Sequence, residues 1–289
     1  MKKIVVALIA ALAIAAVLAA GCGSGKSTST PTAGGKAQSI LKANQVKMRG
    51  VKSFKINGTY TVTTPSSEVK TESATFTGEV QMVSANDVRA HVTATPSGGG
   101  KPSEIYVADG FQYTNDPNKG WSKSKVGSAS DLTSSGIITP SSISELTKYA
   151  ENMKLGPVQN GKYVLTFDIG SKFFDQVFKQ AAQGSQSSTP TGTAAQSAQQ
   201  LAQAMKELLS GLTMSMTYKI DQTSGLADGA SIKVSLKGSA LGDATADISM
   251  IFSDYNAPVT ITLPPEAQNA PEEQTGPGGI PSLPNLPGF

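Results

Sequence analysis

Hydrophobic and polar positions along this chain follow two periods. Phe54, Ile56, Tyr60 and Val62 alternate with Lys55, Asn57, Thr59 and Thr61. Ala74, Phe76, Gly78, Val80 and Met82 alternate with Thr75, Thr77, Glu79 and Gln81, and Val88, Ala90, Val92 and Ala94 with Arg89, His91 and Thr93. A period of two sends successive side chains to opposite faces, so these runs predict strands of an antiparallel sheet with one buried and one wet face. Asp109-Gly110 supplies a hairpin turn between Ile105–Ala108 and Phe111–Thr114, and Asn160-Gly161 precedes a strand through Tyr163, Leu165 and Phe167. Alternation returns at Met214–Ile220, Ile232–Leu236 and Ala244–Phe252, and Val259, Ile261 and Leu263 close the pattern.

Helical spacing fills the gaps. Ala37 to Arg49 predicts a short helix with Ile40, Leu41, Val46 and Met48 near one face. Ser142 and Glu145 fit a capping box ahead of Ile143, Leu146, Ala150 and Met153. Lys172–Ala182 and Ala195–Leu209 read as helices, the second led by Leu201, Met205 and Leu208, with a polar loop from Gly184 to Thr193 between them. Strands, then helices, then strands, without regular β-α alternation, predict an α+β, mostly β fold. Its expected form is one large curved antiparallel sheet with helices on its apolar face, because long strands twist and curl.

The N-terminus carries a different signal. Lys2 and Lys3 precede 17 residues, Ile4 to Ala20, without a polar side chain, and the run ends in small residues. That is the grammar of a secretory signal peptide; a retained anchor helix is the alternative at this length. Leu18-Ala19-Ala20-Gly21-Cys22 resembles a bacterial lipobox, with the leucine one place earlier than usual. Cys22 is the only cysteine in 289 residues, so a disulfide within the chain is excluded and lipidation accounts for an otherwise free exported thiol. The expected organisation is a lipoprotein signal peptide at 1–21, a lipidated Cys22 and flexible tether at 22–36, a folded unit at 37–264 and a disordered Pro/Gly-rich tail at 265–289. The tether's reach is about 20 Å.

Composition removes function classes more than it adds them. The formal charge is +3, falling by two when Lys2 and Lys3 leave with the signal, and no dense cationic face suggests nucleic acid. Ala20 to Ser27 satisfies a relaxed phosphate-loop pattern, but a signal peptide precedes it and Thr28-Ser29-Thr30-Pro31 follows, so the strand-loop-helix context is missing. His91 is the single histidine and falls on a polar strand face, where solvation is the ordinary state. Ser67-Glu-Val-Lys70 and Ser122-Lys-Ser-Lys125 match a Ser-x-x-Lys pattern without opening a helix. The expectation is no enzyme, no catalytic residues, no metal and no cofactor.

The chain resembles lipoproteins of the LppX/LprAFG type, and more distantly the LolA carrier and the lipid-binding part of RseB. The residues carrying this are Phe252-Ser253-Asp254-Tyr255-Asn256-Ala257-Pro258-Val259 running into Ile261, Pro264 and Pro265. The family's closing strand commonly reads F-S-D-Y-G-x-P-V; Asn256 replaces the glycine, and Asn tolerates a left-handed backbone. Tyr106, Phe111-Gln112-Tyr113 and Gly120-Trp121 are similar to the family's paired strands ending in Trp. The resemblance implies a half-barrel, an incomplete barrel with helices on its concave face over a lipid-sized apolar cavity, and transport or presentation of acylated molecules.

Two functions are therefore weighed. One is a membrane-anchored extracytoplasmic lipoprotein that binds or carries a hydrophobic ligand, a lipid or lipoglycan, with Phe76, Met82, Ala90, Leu201, Met205, Leu208, Met250 and Phe252 lining the cavity. The other is an envelope sensor or interaction lipoprotein with a solid core, meeting an envelope protein partner. Small inner-face residues (Ala74, Gly78, Ala90, Ala94, Ala244, Ala246) suit both: they leave room for an acyl chain or admit a close helix backbone.

Overall fold

The computed structural model describes residues 35–64, 70–84, 87–125, 140, 143, 146–174, 211–237 and 243–272. The alternating runs form strands β1 (Ser53–Thr64), β2 (Lys70–Met82), β3 (Val88–Pro96), β4 (Ser103–Ala108) and β5 (Phe111–Asp116). They continue as β6 (Gly120–Lys125), β7 (Ala150–Leu155), β8 (Lys162–Ile169), β9 (Leu212–Asp221), β10 (Ala227–Leu236) and β11 (Ala244–Ser253). All eleven join one sheet in the order β6-β5-β4-β3-β2-β1-β11-β10-β9-β8-β7, and every neighbouring pair is antiparallel. The curved sheet stays open, with β6 and β7 as its two edges. The last strand lies beside the first. The expected mostly β, single curved sheet is therefore the fold observed.

Register keeps the faces clean. Even-numbered residues of β1, β2, β3 and β11 share the apolar side, as in the pairs Ile56↔Phe252 and Val80↔Ala90. Most of one continuous core cluster lies on this side, from Phe54 through Val80 and Ala90 to Leu165, Tyr218 and Ile232. Asp109 (φ 54°) and Gly110 (φ 78°) both take the left-handed backbone that a tight hairpin between β4 and β5 requires. Asn256 (φ 61°) does so beyond β11, as its place in the F-S-D-Y-N run implied. Its carboxamide oxygen accepts from Lys52 N at 2.7 Å, and its own N–H donates to Ser53 O at 2.9 Å. The close of the last strand is thereby tied to the start of the first.

Several expectations need correction. Helix α1 (Gly35–Met48) forms, but it buries Ala37, Leu41 and Asn44, at helical steps of four and three. Val46 points away from that stripe and is 66% exposed. The helix at Ser142 does not continue through Met153. Residues 140, 143 and 146 are helical, a 3₁₀ turn covers Thr147–Tyr149, and β7 begins at Ala150. A bulge explains the false period: Asn152 has φ 53° and the β7–β8 register shifts between Glu151 and Lys154, so Ala150 and Met153 are both buried three residues apart. Val259, Ile261 and Leu263 are not a strand either. They run as a strap, flanked by Pro258 and Pro264, across the outer side of β4–β6. Residues 265–272 of the expected tail pack there too. Helix α2 (Pro265–Gln268) buries Ala267, Ala270 follows, and Lys123 N donates to Pro271 O at 3.0 Å.

Candidate functional site

Of the eight residues read as cavity lining, Phe76, Met82, Ala90, Met250 and Phe252 all lie on the apolar side of the sheet. The pairing distributes them over four successive transverse rows. Phe76 and Met250 share a row, each facing Gly58 from opposite sides. Phe252 is one row along, opposite Ile56 and edge-on to Phe54 at 6.0 Å between ring centroids. Ala90 is a further row away opposite Val80, and Met82 stands at the sheet's end opposite Val88. Leu201, Met205 and Leu208, expected to stand over this face, lie outside the described residues, as do Cys22 and the loop from Gly184 to Thr193.

Burial is uneven across the face. Ala90, Met250 and Phe252 are buried, as are the apolar residues of β9 and β10. Tyr60, Phe76, Val92, Ala94, Ile105 and Ile248 are only half-buried. They are neighbours through the ladder: Phe76 pairs with Ala94, Val92 with Ile105, and Tyr60 with Ile248. A contiguous, partly open apolar patch therefore occupies the middle of an otherwise closed surface. The signal for its missed members was the alternation itself: Val92, Ala94 and Ile248 sit two or four residues from a chosen one, and Tyr60 and Ile105 belong to neighbouring strands from which none was chosen.

Small residues set the shape of this patch. A Cβ on Gly58 would overlap the Phe76 ring and the Ser249 carbonyl, so the far end of the Phe76 ring occupies the space that the missing side chain leaves. A Cβ on Gly78 would come within 2.8 Å of Val92 Cγ2. At one margin, burial and then the charge of Glu72 push the Tyr60 hydroxyl up to about 12.

The opposite, polar face is not featureless. A groove of about 580 Å³ crosses it, lined by residues of β1, β11, β10, β9, β8 and β7. Farther along, His91 stacks on Tyr106 at 4.0 Å, its Nε2 3.6 Å from Glu104 Oε2 and 3.4 Å from Thr93 Oγ1. His91 is thus one-third exposed and stacked rather than simply solvated. Tyr106, Trp121 and the strap complete that cluster, which places Trp121 in hairpin packing. Among the described residues, no group of three His, Cys, Asp or Glu side chains is placed to hold a metal, and no helix is long and apolar enough to cross a membrane.

Comparison with known proteins places the chain. No curated protein matches it. Solved structures similar to it include a LolA superfamily protein from Nitrosomonas europaea, 11% identical over 79% of this chain and 94% of that one, with a TM-score of 0.26. A DUF1329 family protein from Desulfovibrio piger is 9% identical over 78% and 95%, at 0.29. A domain described as an outer membrane lipoprotein-sorting protein, from Vibrio parahaemolyticus, is 10% identical over 78% and 95%, at 0.28. At such scores the likeness decides nothing about this chain. A family model matches residues 36–272, the whole sheet with all but the first residue of α1, the strap and α2. The chain belongs to that family, DUF6612, a family of unknown function.

Proposed function

We propose that this protein is a lipid-anchored extracytoplasmic lipoprotein that takes a hydrophobic ligand, an alkyl-bearing lipid, against the apolar face of its curled sheet. The observation that carries the reading is the half-buried patch of Tyr60, Phe76, Val92, Ala94, Ile105 and Ile248, contiguous across β11, β1, β2, β3 and β4. Partly open apolar surface set in a closed apolar face costs free energy in water, roughly 25 cal/mol per Å². An acyl chain laid over it removes that cost. Gly58, Gly78 and Ala94 keep the patch low, so a chain can approach the sheet itself. Tyr60 supplies one polar handle at the margin, as orienting groups do in apolar sites. Cys22 would tether the domain at the membrane that supplies such ligands, with two or more acyl chains giving stable anchoring.

The test is native mass spectrometry of the full-length protein after mild detergent extraction, beside the Ala94→Trp variant. Ala94 is half-buried, so an indole there fills the patch rather than the packed core. A lipid adduct on the parent protein that is lost from Ala94→Trp is the expected result. Adduct-free spectra for the parent, or equal occupancy of both, would sink the reading. Cys22→Ala should release the protein from the membrane fraction while leaving the adduct in place.

A further inference from the structure

The near-neutral total charge of this chain conceals a polarity. Residues 1–67 hold nine lysines and arginines and not one acid, the first acid being Glu68. The remaining chain holds fifteen cations against twenty-one acids. Part of the basic segment is folded. Helix α1 and the turn after it, residues 35–52, carry Lys36, Lys42, Lys47, Arg49 and Lys52, and all five are exposed.

Helix geometry gathers these cations around one apolar point. Val46 lies nine residues, two and a half turns, beyond Ala37, where the buried stripe through Leu41 and Asn44 begins. It therefore stands opposite that stripe, at the outermost line of the helix, and is 66% exposed. Lys42 and Arg49, four residues before it and three after, are its neighbours on this face. Arg49 N donates to Gln45 O at 3.3 Å, so the helical turn reaches that far. Lys36 and Lys47 flank the same face on its other side.

Lysines on a surface helix are ordinary where acids lie beside them. Here none does. The ion pairs among the described residues engage Lys55, Arg89, His91, Lys162 and Lys233, and none of these five cations. Asp221 belongs to the turn that α1 meets through Asn44 and Gly225, but its Oδ1 accepts from Thr223 N at 3.1 Å and Ser224 N at 2.8 Å. A cationic helix face around an apolar side chain suits an anionic lipid surface. Long basic side chains reach the headgroups, and the apolar one enters between them.

Place in the chain supplies the partner. Gly35 is 13 residues beyond Cys22, a span of at most about 45 Å, and 15 beyond Ala20, where the apolar run ends. With the chain held at a membrane by either, α1 stays near that surface, and proximity makes a weak attraction effective. An acidic protein offers equal charge without this tie. Each basic residue close to an anionic surface strengthens association on the order of fivefold, within a Debye length of about 8–10 Å.

We infer that the outward face of α1, with Val46 at its centre and Lys42 and Arg49 beside it, docks on anionic phospholipid headgroups. The inference rests on the membrane attachment proposed above and not on the bound ligand. Its consequence is orientation. Asn44, on the opposite side of α1, meets the hydroxyl of Tyr218, which belongs to the apolar side of the sheet. Helix α1 thus lies on that side, and docking it turns the half-buried patch toward the bilayer.

Tryptophan quenching by brominated lipid tests this. The full-length protein carrying Val46→Trp and Trp121→Phe is reconstituted in vesicles of dibromo-phosphatidylcholine, alone or with roughly a third phosphatidylglycerol. At about 0.1 M salt the indole at position 46 should be at least twofold dimmer on the vesicles containing phosphatidylglycerol, and about 1 M salt should abolish the difference by screening. Lys42→Glu combined with Arg49→Glu should abolish it too. Lys101→Glu combined with Lys119→Glu, at exposed positions flanking β4 and β6, makes the same change in net charge and should leave it intact. Equal brightness on both vesicles overturns the inference, and is what an acidic protein partner for this face predicts. A difference that survives Lys42→Glu with Arg49→Glu also overturns it. Flotation separates the two readings. Protein that floats with the vesicles yet shows equal brightness refutes docking alone, whereas protein that floats with neither refutes attachment and docking together.

Discussion

Tyr218, in the middle of β9, donates its hydroxyl to Asn44 Oδ1 at 3.0 Å, and both residues are buried. Asn44 in turn donates through Nδ2 to Gly225 O at 2.8 Å in the β9–β10 turn. One polar side chain on α1 thereby fixes the helix to both the sheet and a turn. Removing it strands a buried hydroxyl and a buried-side carbonyl, so Asn44→Ala should cost about 1–3 kcal/mol. Tyr218→Phe should cost less, because Asn44 keeps its bond to Gly225. Urea melts of both single variants and the double variant give the coupling; additive losses would show that the pair does not act together.

Phe76 and Gly58 form the second interdependent pair. Gly58→Ala drives a methyl into the Phe76 ring and the Ser249 carbonyl, so overpacking of roughly 1–3 kcal/mol is expected. Phe76→Ala alone removes a half-buried ring. In the double variant the ring clash is gone, so the cost of the alanine at 58 should shrink. A Gly58→Ala penalty that is the same with and without Phe76 would assign the strain to the backbone carbonyl of Ser249.

These two pairs show where the sequence could and could not be read. Alternation carried the strands because one buried face imposes a period of two on every long strand, and nine of the eleven strands coincide with it or with the hairpin turns. It could not reveal Asn44, since a buried polar residue is legible only through partners on β9 and at Gly225. It misread Ala150 and Met153, where the Asn152 bulge turns a strand's period into a helix's. It also misread Val259, Ile261 and Leu263, which alternate because the strap has an inner and an outer side, not because it joins a ladder. The inner-face set was legible as a face but not as a patch, because half-burial at Val92 or Ile105 depends on what the rest of the chain covers.

Alkaline pH should unfold the protein cooperatively. Burial raises the hydroxyls of Tyr60, Tyr218 and Tyr255 above the ordinary value of 10, with Tyr60 reaching about 12 and the other two higher still. The unfolded chain releases these protons from about pH 10, while the folded one retains them. Above pH 10 the native state therefore binds more protons, and stability falls as pH rises; below pH 10 these groups contribute no slope. Urea midpoints measured from pH 8 to 12 should be flat and then drop, and Tyr60→Phe should reduce the drop. Tyrosinate absorbance should appear in two stages, exposed phenols first and the buried ones only with unfolding. A single stage centred on pH 10 with the fold intact would contradict the burial of these rings.

Trp121, the only tryptophan, sits under the C-terminal strap with Tyr106 at 5.8 Å between centroids, and so reports on that contact. Val259, Ile261, Ala267 and Ala270 cover Tyr106, Ala108 and Tyr113 on the outer side of β4–β6, away from the main core. Because this is a separate small cluster, its loss should loosen one end of the sheet without melting the other. Ile261→Ala should shift Trp121 emission to longer wavelength and speed amide exchange in β4, β5 and β6, while β9 and β10 stay protected. Thr260→Ala, whose side chain is exposed, is the control and should do neither. If Ile261→Ala leaves Trp121 emission and β4–β6 exchange unchanged, the strap is not what holds that end of the sheet, and the β6 edge must be stabilised by its own ladder to β5.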